Sequence, residues 1–249
     1  MADFYSSMTS LYANEPQSSW GRTIRTAPGS KVLISAPHGG GIEFTTSDIA
    51  DKVAGSSYNF HTFRGLLPSG NFARLHVTST NYDCPYMEAV NQAGDYTLTV
   101  HGASGTEAIT YVGGWDIAGM NLVKTKLLAA GFRLEPPPAG LSGTGSLNIT
   151  NRNSRGKGIQ LELTTALRSS MKTDGSLNAT FWAYVNAVRA ALNEHTVEPA
   201  DPVDPSDPTD PTDPVGGDDE SYYYNTPTYI LGGWVKRQQW KWWLYPRKR

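Results

Sequence analysis

Residues 31–43 read KVLISAPHGGGIE. An apolar, β-favouring run, Lys31 to Ala36, ends at Pro37-His38, and three glycines then separate His38 from Glu43. Glycine lets backbone approach closely, so a loop of this kind can fold two side chains toward one point. The same grammar recurs downstream. Tyr96 to Val100 is a second β-rich run and stops at His101-Gly102. Residues 107–112, EAITYV, form a third and stop at Gly113-Gly114. Residues 159–164, IQLELT, alternate, with Ile159, Leu161 and Leu163 on one face and Gln160, Glu162 and Thr164 on the other.

Helical patterns lie between these runs. Asp116 caps a segment that places Ile117, Met120, Val123 and Leu127 at helical spacing and stops at Gly131. Pro85 to Gly94 has proline early and glycine after its end. Thr180 to His195 puts Phe181, Val185, Val188 and Leu192 on one stripe. Strands alternating with helices predict an α/β domain with a largely parallel sheet. Ligands of such sheets sit beyond the C-terminal ends of the strands, where His38 and His101 fall.

Two imidazoles and one carboxylate make a three-ligand zinc set that leaves a fourth position open for water. His38, Glu43 and His101 supply that set in this order. Glu162, on the polar side of its strand, is the candidate proton shuttle. Arg152, Arg155 and Lys157 precede it closely and could face a developing oxyanion. Each residue also has a plainer reading: a histidine in a glycine turn is often structural, and a lone glutamate in an alternating strand is often surface. His61 and His76 stand as alternative ligands or substrate contacts. His195 reads as a helix-end cap. Cys84 has no clear histidine partner for nucleophilic chemistry.

The chain has 249 residues and a formal net charge of -2. One cysteine excludes an intrachain disulfide. No apolar run approaches the ~20 residues of a membrane span. The start, MADFYSSMTSLYANEPQ, lacks the basic and apolar parts of a secretory signal. The near-neutral total conceals three regions. Residues 201–220 carry eight acidic side chains, no basic ones and five prolines, and read as a stiff solvated linker. Residues 221–249 carry six basic side chains, no acidic ones and four of the seven tryptophans. Residues 1–200 balance to zero, so the charge pattern does not point to nucleic acid as a partner of the body. This body is large enough for one well-buried core.

The motifs resemble a known family, the zinc-dependent poly-γ-glutamate hydrolases of bacteriophages and some bacteria. The likeness starts weakly at DFYSSMTSLYANE. It is clear in SAPHGGGIEFTTSDIA, YNFHTFRGLLPSGNFARLHVTSTNYDCP, VHGASGTEAITYVGGWD and NITNRNSRGKGIQLELTTALR. It implies a zinc-carboxypeptidase-like fold, with a mixed, mainly parallel sheet flanked by helices; residues 201–249 depart from the family core as a C-terminal appendage. It implies one zinc ion held by His38, Glu43 and His101, with Glu162 as the catalytic residue. The implied substrate is glutamate joined through γ-carboxyls, the polymer of some capsules and slime layers. A phage enzyme of this kind would reach that polymer after release by lysis or as part of a virion.

Each γ-linked unit leaves a free α-carboxylate, which a guanidinium matches well. Arg64, Arg74, Arg152, Arg155 and Arg168 lie in the matching motifs, with Arg152 and Arg155 favoured. Asn151-Arg152 also resembles the pair with which carboxypeptidases hold a substrate carboxylate. His76 is a further substrate contact. The tail 221–249 resembles no module; Tyr229 to Leu231, Gly232-Gly233 and Trp234 onward suit a hairpin. Its expected roles are binding an anionic cell-surface polymer, lying on a membrane surface, or packing on the body or another subunit. Two competing functions remain: a peptidase for γ-glutamyl bonds of peptidoglycan stem peptides, and a capsule-binding protein without catalysis.

Overall fold

The computed structural model describes residues 3–196; residues 1–2 and 197–249, including the predicted linker and tail, lie outside the described residues. The elements, in chain order, are α1 (Met8–Asn14), β1 (Trp20–Arg25), β2 (Val32–Gly40), α2 (Thr46–Ala54) and β3 (Asn59–Gly65). Then come α3 (Asn71–Leu75), α4 (Pro85–Gln92), β4 (Tyr96–Ala103), β5 (Thr110–Gly114), α5 (Ile117–Ala129) and β6 (Leu134–Glu135). The last are β7 (Ile159–Thr164), α6 (Thr165–Ser170), the hairpin strands β8 (Lys172–Thr173) and β9 (Ser176–Leu177), and α7 (Ala179–Thr196).

Seven strands form one sheet in the order β1-β3-β2-β4-β7-β5-β6. The central ladders β3–β2, β2–β4 and β4–β7 are parallel. β1 runs antiparallel to β3, and β5 antiparallel to β7. The sheet is therefore mixed and mainly parallel, flanked by helices, as the alternation of strands and helices implies.

The faces divide by residue parity, because side chains alternate along a strand. Val32, Ile34, Leu98, Val100, Leu161 and Leu163 pack with the apolar stripes of α2, α5 and α7 in the larger core. Leu33 joins Met8, Leu11, Phe63, Tyr82 and Met87 in a second core on the opposite side. On that side the central strands also carry Ser35, Thr99, His101, Gln160 and Glu162, all buried. Continuous burial of both faces is usual for strands in the middle of a parallel sheet. The polar side of residues 159–164 is buried as well, and Gln160 and Glu162 line a cleft there.

The predicted helices match α4, α5 and α7 closely. Asp116 caps α5 by accepting from Gly119 N–H at 3.3 Å. Ile117 departs from the expected stripe: it is exposed, while Met120, Val123 and Leu127 are buried. The strand expected to end at Pro37-His38 continues to Gly40. Its pairing with β3 shifts register between Ala36 and Gly39, which accommodates a proline that has no N–H to donate. The strand expected over 107–112 begins instead at Thr110 and takes in Gly113 and Gly114, which pair with Gln160 and Ile159.

Candidate active site

The site lies at the C-terminal ends of the central strands. His38 is near the end of β2, and His101 near the end of β4. β4 and β7 are parallel, with His101 directly opposite Glu162. Glu43 follows the turn after β2, whose closure is marked by Glu43 N–H donating to His38 carbonyl at 2.9 Å. Gly40 makes this turn possible. It has φ +62°, and a Cβ there would meet Gly65 O at 2.6 Å.

The three predicted ligands converge. His38 Nδ1 lies 3.1 Å from His101 Nδ1 and 3.4 Å from Glu43 Oε1, and His101 Nδ1 is 3.9 Å from Glu43 Oε2. Zinc–ligand bonds of about 2.0–2.1 Å in a tetrahedron put donors about 3.3 Å apart, so this spacing suits one ion. His38 Nε2 contacts Val77 carbonyl at 2.8 Å and must donate there, which leaves the Nδ1 lone pair free. Gly102 N–H donates to Glu43 Oε2 at 2.8 Å and fixes the carboxylate. Two imidazole nitrogens facing each other at 3.1 Å need a proton or a cation between them, so the donor set fits a metal. His101 Nε2 is buried with no hydrogen-bond partner among the described residues.

A second grouping shares two of these residues. One ligand atom each from His38, Glu43 and His76 lie within 4.8 Å of one another. His76 stacks on His38 with ring centroids 4.1 Å apart, and its Nδ1 is paired to Asp3 Oδ1 at 2.8 Å. Only Nε2 of His76 is therefore available, and the shorter His38–His101 approach favours His101 in the ligand set.

The electrostatics follow from burial. Burial, then His38, pushes His101 down to about 3. Burial alone would lower His38, but the Glu43 carboxylate outweighs it and raises the imidazole. Burial alone would raise Glu43; His38, then His101 and the Gly102 N–H, hold it below the carboxylate range. Glu162 moves the other way: burial, then the neighbouring Glu43, pushes it well above its ordinary value of 4.5. Gln160 Nε2 donates to Glu162 Oε1 at 2.9 Å and orients it.

A cleft of about 780 Å³ opens over these groups. Phe44 and Phe72 line it, with hydroxyl groups of Thr78, Ser79 and Ser142 and the buried guanidinium of Arg168. Arg152 and Arg155, the substrate contacts favoured from the sequence, go elsewhere. Arg152 donates to Glu88 Oε1 and Tyr82 carbonyl, both at 2.5 Å, and is not among the lining residues. Arg155 pairs with Asp116 at 3.0 Å and lies over the Tyr96 ring at 4.3 Å. The physical reason is strand direction. Arg155 precedes β7 and sits beside Asp95 at the N-terminal end of the ladder, whereas the site is at the C-terminal end. Arg64 is also absent from the lining, with its Nε buried and unpartnered among the described residues. Asn151 acts indirectly: it donates to the carbonyls of Gly143 and Gly145, two residues of the loop that walls the cleft.

Among the other histidines, His61 is buried away from the cleft, bonded to Ser35 and 3.7 Å from Cys84 Sγ. Cys84 thus has a histidine neighbour that spacing did not reveal, yet both side chains are inaccessible. His195 pairs with Asp116 at 2.9 Å. Sequence reasoning missed Asp3, the partner of His76, and gave Arg168 no more weight than its neighbours.

A mixed, mainly parallel sheet with two histidines and a carboxylate converging at its strand ends defines the class: an α/β domain whose cleft holds a donor set fit for a metal. The family described as poly-gamma-glutamate hydrolase matches residues 5–187, and the chain belongs to it. The SPbeta prophage-derived protein YoqZ of Bacillus subtilis (strain 168) is 36% identical over 203 residues, covering 78% of this chain and 73% of that protein. The protein YmaC of the same strain is 33% identical, covering 77% and 85%. A solved bacteriophage poly-gamma-glutamate hydrolase superposes with a TM-score of 0.73 at 29% identity, over 78% of this chain and 98% of that one. A zinc-free apo form of YndL superposes with a TM-score of 0.71 at 29% identity, over 79% and 100%.

Proposed function

We propose that this hydrolase is zinc-dependent and cuts γ-glutamyl amide bonds inside poly-γ-glutamate chains. The observation that carries the reading is the convergence of His38 Nδ1, His101 Nδ1 and Glu43 beside Glu162 on the adjoining strand. His38, Glu43 and His101 would hold the ion, which when bound supplies a Lewis acid and lowers the pKa of water toward ~7. Glu162 takes a proton at its carboxylate and returns it to the leaving amine. Burial raises its pKa, which strengthens the carboxylate as a base toward the proton it takes. Gln160 keeps that carboxylate oriented. His76 donates from Nδ1 to Asp3, and burial lowers its pKa to about 4, so the neutral ring presents Nε2 as an acceptor for a substrate N–H. The cleft offers an extended polar chain both aromatic and hydroxyl-bearing side chains to lie against.

A prophage-derived relative and a bacteriophage enzyme of the same family support a phage role. In that role the protein opens or leaves a capsule or slime layer, acting outside the cell after lysis or from the virion. The linker 201–220 and the tail 221–249 would then tether the domain to an anionic surface polymer.

The test is the size distribution of purified poly-γ-glutamate after incubation with the full chain, with and without a zinc chelator. Rapid collapse to oligomers, abolished by chelator and restored by zinc, is the expected result. Slow trimming from the ends would replace internal cleavage by exo action. Unchanged polymer with zinc-loaded protein would overturn the substrate assignment and direct attention to peptidoglycan γ-glutamyl bonds.

A further inference from the structure

Arg168 is buried, 5% exposed, on the short helix that follows β7. A buried guanidinium needs its donors satisfied, ordinarily by a carboxylate. Here the acceptors are three backbone carbonyls and a hydroxyl. Nε donates to Leu163 O at 3.0 Å, Nη1 to Phe44 O at 3.0 Å, and Nη2 to Ala103 O at 3.2 Å and Thr165 Oγ1 at 3.4 Å.

The identity of those carbonyls is informative. Leu163 follows Glu162, Phe44 follows Glu43, and Ala103 lies two residues past His101. One planar side chain therefore gathers the three chain segments that carry the catalytic glutamate and two of the three ligands. The β4–β7 ladder already joins two of those segments, but Glu43 belongs to a turn outside any strand. The guanidinium joins that turn to the sheet. Phe44 completes the contact, with its ring centroid 4.4 Å from Arg168 Cζ. Gly102 makes room: a Cβ there would lie 2.6 Å from Cζ, and the same residue's N–H holds Glu43 Oε2.

We propose that Arg168 is a positioning residue, whose fork of donors sets the mutual placement of Glu43, His101 and Glu162. The inference rests on the reading of those three residues as the site. Lysine does not substitute, because a single ammonium cannot reach three carbonyls held apart in a plane.

Two full-length variants test this: Arg168→Lys, which keeps the charge and most of the stem, and Gly102→Ala, which displaces the guanidinium without deleting it. Folding is checked by circular dichroism. Zinc affinity is measured by chelator competition, which needs no substrate. We expect both variants to stay folded and to bind zinc about 10–100-fold more weakly, the usual effect of loosening the support of a ligand. On polymer, kcat should fall ~10²-fold with KM nearly unchanged, as displacement of the reacting groups dictates. Wild-type zinc affinity in both variants would overturn the proposal. A loss confined to KM would also overturn it and make Arg168 a substrate contact. If wild-type protein leaves poly-γ-glutamate intact, the substrate reading fails, while the zinc comparison still decides the role of Arg168.

Discussion

Glu162 shows how one buried position creates a chemical role. The carboxyl is enclosed, beside a second carboxylate, and held by an amide, and burial more than any neighbour raises its affinity for a proton. Glu162→Gln preserves shape and the Gln160 contact while removing the ability to take a proton. Turnover should fall by at least ~10²–10⁴-fold, with melting temperature and bound zinc unchanged. Retained turnover would place the shuttle elsewhere. His101→Ala removes one of three ligands, so metal analysis of the purified variant should find little zinc; a full complement would transfer that ligand role to His76. The convergence of His38, Glu43 and His101 was legible from the chain because glycine-rich turns after apolar runs advertise it. Arg168 was not, because the weight fell on Arg152 and Arg155, which precede Glu162, rather than on an arginine that follows it. A parallel ladder sends residues before and after a strand to opposite ends of the sheet.

Helices α5 and α7 meet at Asp116, which accepts from Gly119 N–H, His195 and Arg155. Burial alone would raise its pKa; His195, Gly119 and Arg155 outweigh it and lower it from 3.8. A depressed carboxylate stabilises the fold fully above its unfolded value and loses that contribution as pH falls through the folded one. Asp116→Asn keeps a capping oxygen but loses the charge, and should cost about 1–2 kcal/mol at pH 6. Urea unfolding at pH 6 and pH 3 should show the gap between wild type and variant narrowing at the lower pH. An equal gap at both would show that charge contributes nothing there. Among the elements, α4, α5 and α7 were readable from apolar spacing and caps. β1 and β3 were not: WGRTIR and NFHTFRG mix charges and polar groups with apolar ones, and pairing makes them strands, β1 on β3 and β3 between β1 and β2.

At the scale of the molecule, the family match spans residues 5–187, and the acidic 201–220 and basic 221–249 regions fall beyond it. Among the described residues, no helix is long and apolar enough to cross a membrane. If the tail serves only as a tether, a chain ending at residue 200 should hydrolyse short γ-glutamyl oligomers at near-normal rates. The same truncation should lose activity on dilute or surface-attached polymer, because the gain from tethering is one of local concentration. Equal loss on both substrates would mean that the tail supports the catalytic domain itself.

By itself the sequence determined the class of fold and singled out His38, Glu43, His101 and Glu162, which the fold brings to one cleft. Those are local properties, written in apolar periodicity and in glycines that only certain turns require. Only the tertiary structure decided which cations reach the cleft, that His76 is held by Asp3, and that Arg168 binds three separate segments. Such contacts join residues scores of positions apart. Their geometry comes from strand order and direction, which no window of sequence contains.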